Sequence, residues 1–142
     1  MSQCHIKVVL TKVTYQGDDI GNDWEYAIRI LSNPNGRWVR IPLHTLNHGA
    51  SENRNDVLYE SIRENCDQQF IFRVALWAKE HDLFFDDFAR PSIHPNTGNI
   101  SLNCPNVNVF PFVHKVNERF TLFGTDTAQL KFDIQFLLYC ND

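Results

Sequence analysis

Seven carboxylates fall into two short clusters in this 142-residue chain, and they are the residues best placed to do chemistry. Asp18, Asp19 and Asp23 lie within Gly17-Asp18-Asp19-Ile20-Gly21-Asn22-Asp23. Glu80, Asp82, Asp86 and Asp87 lie within Glu80-His81-Asp82-Leu83-Phe84-Phe85-Asp86-Asp87. Each cluster sits where a run of alternating apolar residues breaks off, which places it in a loop at a strand end. Carboxylates crowded into one volume repel one another unless a cation neutralises them. Oxygen-only donor sets favour hard ions, and Ca²⁺ takes six to eight such oxygens. The competing reading is that Asp and Gly are good turn residues that solubilise loop ends. Both readings stand at this point.

Leu83-Phe84-Phe85 interrupts the second cluster. Phe84 and Phe85 either project from a loop tip towards a lipid interface or fold back to cap the domain. One Phe buried in such an interface contributes roughly 1.5–3 kcal/mol, enough for a weak, reversible attachment by two. An alternative binding chemistry is carbohydrate: Trp24, Trp38, Tyr26 and Tyr59 supply flat rings, and Trp24 adjoins Asp23. His44-x-x-x-His48 has ligand-like spacing, but the surrounding Thr45-Leu46-Asn47 and Gly49 read as loop, so the spacing does not put both rings on one face. Cys66 has no activating motif around it. Neither a Gly-x-Ser-x-Gly elbow nor a Gly-rich phosphate loop is present. The expectation is a binding protein rather than an enzyme.

The elements that position these residues read as strands. Ile6, Val8 and Leu10 alternate, and the phase then slips so that Val13 and Tyr15 continue, the pattern a β-bulge produces. Tyr26, Ile28 and Ile30 form the next strand. Ser32-Asn33-Pro34-Asn35-Gly36 predicts a tight hairpin, followed by a short return strand over Trp38, Val39 and Ile41 that ends at Pro42. Residues 44–56 read as an irregular polar connection. Val57 to Ile62 and Gln69 to Ala78 follow, the latter with Phe70, Phe72, Val74 and Leu76 on one face. A single helical turn is the alternative at Asp86 to Arg90. Ile100 and Leu102 follow a long loop. Val107 to Val116, broken by Pro111, reads as an edge or bend. Arg119 to Phe123 is another short strand. Leu130, Phe132, Ile134, Phe136 and Leu138 make the clearest half-buried strand. About eight strands with frequent turn signals predict an all-β, antiparallel two-sheet sandwich, and residues 1–142 read as one domain.

Composition agrees with that class. Hydrophobic residues make up 43%, charged residues 21% and aromatics 13%, with eleven Phe suited to a pleated surface. A formal net charge of −4 and no basic block argue against nucleic acid as a partner. The N-terminus lacks a secretory pattern and no apolar run is long enough to span a bilayer, so the cytoplasm is the default expectation. Cysteines at 4, 66, 104 and 140 form no Cys-x-x-Cys pair and are expected as reduced thiols, with a Cys4–Cys140 bridge as the alternative. Asn99-Ile100-Ser101 matches a glycosylation sequon.

Laid out this way, the chain resembles the calcium-dependent membrane-docking domain of protein kinase C and synaptotagmin, the C-two domain. Asp18-Asp19-Ile20-Gly21-Asn22-Asp23-Trp24-Glu25-Tyr26 is similar to that family's first loop, and Lys79-Glu80-His81-Asp82-Leu83-Phe84-Phe85-Asp86-Asp87-Phe88 to its third. The end of the chain, Gly124-Thr125-Asp126 followed by Leu130-Lys131-Phe132-Asp133-Ile134, is similar to small bacterial sandwich proteins of this kind. The resemblance implies a C-two-like or jelly-roll sandwich without catalytic residues. It implies Ca²⁺ held by Asp18, Asp19, Asp23, Glu80, Asp82, Asp86 and Asp87, and an anionic phospholipid surface met by Phe84 and Phe85. Two departures stand out: Glu80 replaces an Asp, and the spacing to the later Asp is one residue short. A carbohydrate-binding sandwich using Trp24, Trp38 and Tyr26, with a glycan or protein partner, is the alternative. An oligomeric structural subunit without metal is the third reading.

Overall fold

The computed structural model describes residues 3–64, 69–81, 87–94, 98–101, 105–118 and 126–141. Nine strands are present among them: β1 (Gln3–Gly17), β2 (Asp23–Leu31), β3 (Val39–Thr45), β4 (Ser51–Arg63), β5 (Gln69–Glu80), β6 (Asp87–Ile93), β7 (Gly98–Ser101), β8 (Asn106–Asn117) and β9 (Thr127–Asn141). They form two antiparallel sheets packed as a sandwich. One is β4-β1-β9-β8; the other is β3-β2-β5-β6, with β7 pairing the first half of β5.

Period-two patterning explains which residues face inward. Trp24, Tyr26, Ile28 and Ile30 of β2 and Phe70, Phe72, Val74 and Leu76 of β5 are buried from one sheet. Leu130, Phe132, Ile134, Phe136 and Leu138 of β9 are buried from the other. The rings interdigitate: Phe72 stacks on Phe136 with centroids 4.3 Å apart, and Tyr26 meets Phe132 edge-on at 5.4 Å. Gly98 is required opposite Phe72, since a Cβ there would lie 2.1 Å from the Phe72 ring. The phase slip read in β1 is a true irregularity, with the register on both neighbours shifting between Leu10 and Lys12.

Several expectations are corrected. Asn35-Gly36 does not close a two-residue hairpin; residues 32–38 form a longer connection with a cis Asn33–Pro34 bond. Gly36 N–H donates to the Ile30 carbonyl at 2.8 Å, and the Asn35 side chain accepts from Ser32 N–H at 3.0 Å. The return strand does not end at Pro42, because β3 is an edge strand and tolerates a missing donor. Residues 51–56 are strand rather than loop: they pair with β1 although polar, supported by Thr14–Ser51 (2.8 Å) and Arg54–Asp56 (2.7 Å) side-chain contacts. Residues 87–93 are extended rather than helical. Neither described cysteine is a free thiol: Cys4 and Cys140, register partners on β1 and β9, are each disulfide-bonded, but their sulfurs lie 3.6 Å apart and are not bonded to one another, which corrects both the reduced thiols and the Cys4–Cys140 bridge. The strand expected at 119–123 lies outside the described residues.

Candidate functional site

Pairing of β2 with β5 brings the two acidic clusters to one end of the sandwich. Asp23 opens β2, Glu80 closes β5 and Asp87 opens β6; Trp24 is in register with Glu80, and Glu80 with Asp87. His81 N–H donates to the Asp23 carbonyl at 2.7 Å, and Asp23 N–H approaches Glu80 Oε1 at 3.4 Å. Residues opposite one another in an antiparallel pair share a face. Trp24, Glu80 and Asp87 therefore form one inward row, and all three are buried, the two acids at 1% exposure each.

The first loop is fastened internally. Tyr15 Oη accepts from Ile20 N–H at 2.8 Å and donates to Asp19 Oδ1 at 3.4 Å; burial is the main reason its hydroxyl is pushed up to about 12. Asp19 Oδ1 also accepts from Gly21 N–H at 3.1 Å, an Asx turn. Asp18 is drawn away from the cluster, its Oδ2 accepting from Thr127 N–H at 2.8 Å while its own N–H donates to the Thr127 carbonyl. Gly21 adopts φ +123° and lies so close to Glu80 that a Cβ would fall 2.1 Å from Oε1. Only glycine combines that φ with that approach.

The structure thus brings Glu80 and Asp87 together, with the Asp23 backbone beside them. It ties Asp18 and Asp19 into the backbone of their own surroundings. Asp82, Phe84, Phe85 and Asp86 lie outside the described residues. Among the described residues, no group of three or more His, Cys, Asp or Glu gathers in cation-holding geometry. Trp24 and Tyr26 are fully buried in the core, which corrects their proposed use as sugar platforms. Tyr59 is buried as well, at 7% exposure, and Trp38 alone of the four rings is open, at 42%.

Two polar clusters escaped the sequence reading. Glu25, on the outer face of β2, is buried at 4% exposure; its Oε2 accepts from Arg40 Nε (3.0 Å) and Nη2 (2.5 Å), and its Oε1 meets His81 Nε2 at 2.7 Å. Burial alone raises a carboxyl pKa, but Arg40 and His81 together outweigh it and hold Glu25 below the usual range. Near the β3–β4 side, the Tyr26 hydroxyl bonds to Glu52 and to His44 Nε2 (2.8 Å); His44 also meets Glu52 at 2.8 Å and the Pro42 carbonyl at 2.8 Å. Burial, then the Glu52 bond, raises the Tyr26 pKa. His48 makes separate contacts, with Gly17 O at 2.7 Å and the Tyr15 ring, so the two histidines do not converge. Neither cluster had a sequence signal, because each joins residues from different strands.

The fold is an all-β sandwich, with Glu80 and Asp87 facing one another at one end of the β5–β6 pair. One solved structure similar to it is the human GIVD cytosolic phospholipase A2 in complex with methyl gamma-linolenyl fluorophosphonate. The TM-score is 0.47 at 12% identity, over 96% of this chain and 17% of that one. The chain therefore spans less than a fifth of that protein's length. No protein-family model matches the chain, and no curated protein matches it in sequence.

Proposed function

We propose that this chain is a non-catalytic binding module whose ligand end is formed by residues 17–23 and 80–88. The carrying observation is the inward row in which Glu80 and Asp87 stand in register beside the Asp23 backbone. Adjacent buried carboxylates are costly as charges unless donors, a proton or a cation compensate them. An all-oxygen set of this kind suits Ca²⁺. In this reading Glu80 and Asp87 are the protein's inner ligands and Asp23 the outer one. Asp18 and Asp19 shape the loop instead of coordinating. Three carboxylates fall short of six to eight oxygens, so the shell needs further carbonyls, water or neighbouring acids.

An anionic phospholipid surface is the partner proposed for the loaded site, with Phe84 and Phe85 as the contact residues expected from sequence. No helix among the described residues is long and apolar enough to cross a membrane. Cysteines held in disulfides fit an oxidising compartment better than the cytoplasm.

Calcium titration followed by tryptophan fluorescence and melting temperature tests the proposal, since Trp24 lies in the same row as Glu80. A rise in melting temperature with Ca²⁺, reversed by chelator and lost in Asp23→Asn and Asp87→Asn, is expected. No response at millimolar Ca²⁺ rejects the cation. Sedimentation with anionic vesicles then tests the lipid partner, and Ca²⁺-independent or absent pelleting rejects it.

A further inference from the structure

Among the described residues ten large apolar side chains are exposed, and six of them share the outer face of one sheet: Val57 and Ile62 of β4, Tyr139 of β9, and Val107, Val109 and Val113 of β8. The concentration is greatest on β8. Phe112, His114 and Val116 are buried on its inner side, and Phe110 packs against the same core. Val107, Val109, Pro111 and Val113 therefore follow one another along the outside, all four exposed. Outward positions of a sheet that faces water are ordinarily polar. Here four in succession are apolar, a stripe about 20 Å long. Pro111 removes a donor and blunts the strand for edge-to-edge pairing, so the stripe offers side chains rather than backbone.

Neighbouring strands continue this face. In register across the sheet, Val109 is followed by Gln135, Val9 and Val57, and Val107 by Leu137, Lys7 and Glu60. At one corner His5 stacks on Tyr139 with centroids 4.9 Å apart, and Ile62 lies opposite His5. Glu60 and Asp133 each have a lysine opposite, Lys7 and Lys12.

The stripe matches itself. Reading Val–Val–Pro–Val, it is carried onto a second copy by a two-fold axis that crosses β8 between Val109 and Pro111. Val107 then meets Val113, and Val109 meets Pro111 of the second copy, the reciprocal contacts of an isologous interface. Lys131, in register with Val113, is kept at opposite ends of the contact in the two copies. Each acid closes into the interface beside its own lysine, which avoids burying an uncompensated carboxylate. Four strands about 4.8 Å apart and about nine residues long make a face of roughly 20 by 30 Å, so two such faces bury on the order of 1,200 Å² in total, the lower bound of stable interfaces. Sheets stacked in this way pack about 10 Å apart with strands within about 30° of alignment.

We infer that the outer face of the β4-β1-β9-β8 sheet is a homodimer interface, with the β8 stripes of two copies of this chain packed across one another. The contact is independent of the acidic end of the sandwich.

Sedimentation velocity in chelator, from micromolar to millimolar protein, tests it. A concentration-dependent dimer is expected. Val109→Lys should weaken it at least tenfold, since a charge is placed at the centre of the contact. Ile71→Lys, on the outer face of the other sheet and 56% exposed, should leave it unchanged. A dispersed amide spectrum shows that each variant is folded. In a mixture of labelled and unlabelled parent, isotope-filtered methyl contacts between Val107 and Val113 of different copies are expected. A parent that stays monomeric at millimolar concentration overturns the inference. So does a folded Val109→Lys that dimerises as tightly as the parent, or a dimer whose intermolecular contacts lie outside this face.

Discussion

Glu80 and Asp87 face one another across β5 and β6 on the inner side of the sheet, each 1% exposed. Replacing Glu80 by Gln keeps an acceptor for the Asp23 N–H and removes one of the two facing carboxyl groups. The rise in melting temperature produced by Ca²⁺ should shrink in Glu80→Gln, because a neutral amide is a weaker ligand for a hard cation. A Ca²⁺ response equal to that of the parent contradicts the cation site on which the proposed function rests.

Gly21 separates the two acidic clusters by less than a methyl group. Its φ of +123° lies outside what L side chains adopt readily, and an added Cβ would meet Glu80 Oε1 at 2.1 Å. Gly21→Ala should therefore cost about 1–3 kcal/mol, from backbone strain and displacement of Glu80. Urea denaturation measures this directly. A cost under about 0.5 kcal/mol would show that the loop yields without disturbing Glu80.

His114 gives the fold a pH dependence of known sign. It is buried at 5% exposure on the inner side of β8, near Ser92, and burial lowers its pKa from 6.5 to about 4. In the native state the ring stays neutral between those values, while the unfolded chain takes up a proton. Stability from this group is complete above about pH 6.5 and is lost as pH falls towards 4, by roughly 3 kcal/mol at most. Denaturation midpoints at pH 7 and pH 4.5 should differ less in His114→Gln than in the parent. Equal differences would mean that His114 does not carry this loss.

Much of the frame was legible from period-two patterning. β9 alternates without a break, and the slip between Leu10 and Val13 announced the irregularity in β1. Polar β4 was not legible over residues 51–56, because an edge segment held by pairing and side-chain contacts has no apolar face to advertise. At the site, sequence located both acidic clusters at strand ends but could not sort them. Asp18 and Asp19 look the same as Asp23 in sequence; Thr127, distant along the chain, takes up Asp18, and Tyr15 and the local turn take up Asp19. The burial of Trp24 and Tyr26 follows from the phase of β2, since both share a face with Ile28 and Ile30.

Tyr15 links that buried frame to the first acidic loop. Its hydroxyl is the acceptor for the buried Ile20 N–H at 2.8 Å and also reaches Asp19, while its ring meets Trp24 and His48 edge-on. Tyr15→Phe keeps the ring packing and strands the Ile20 donor, which costs about 1–3 kcal/mol when no water replaces the hydroxyl. The loss should be local: amide hydrogen exchange at Ile20 and Gly21 is expected to quicken far more than exchange in β9. If the loop serves the ligand end, the variant should also weaken Ca²⁺-induced stabilisation without touching Glu80 or Asp87. Uniformly faster exchange across both sheets would instead make Tyr15 a core residue whose hydroxyl has no special part in holding the loop.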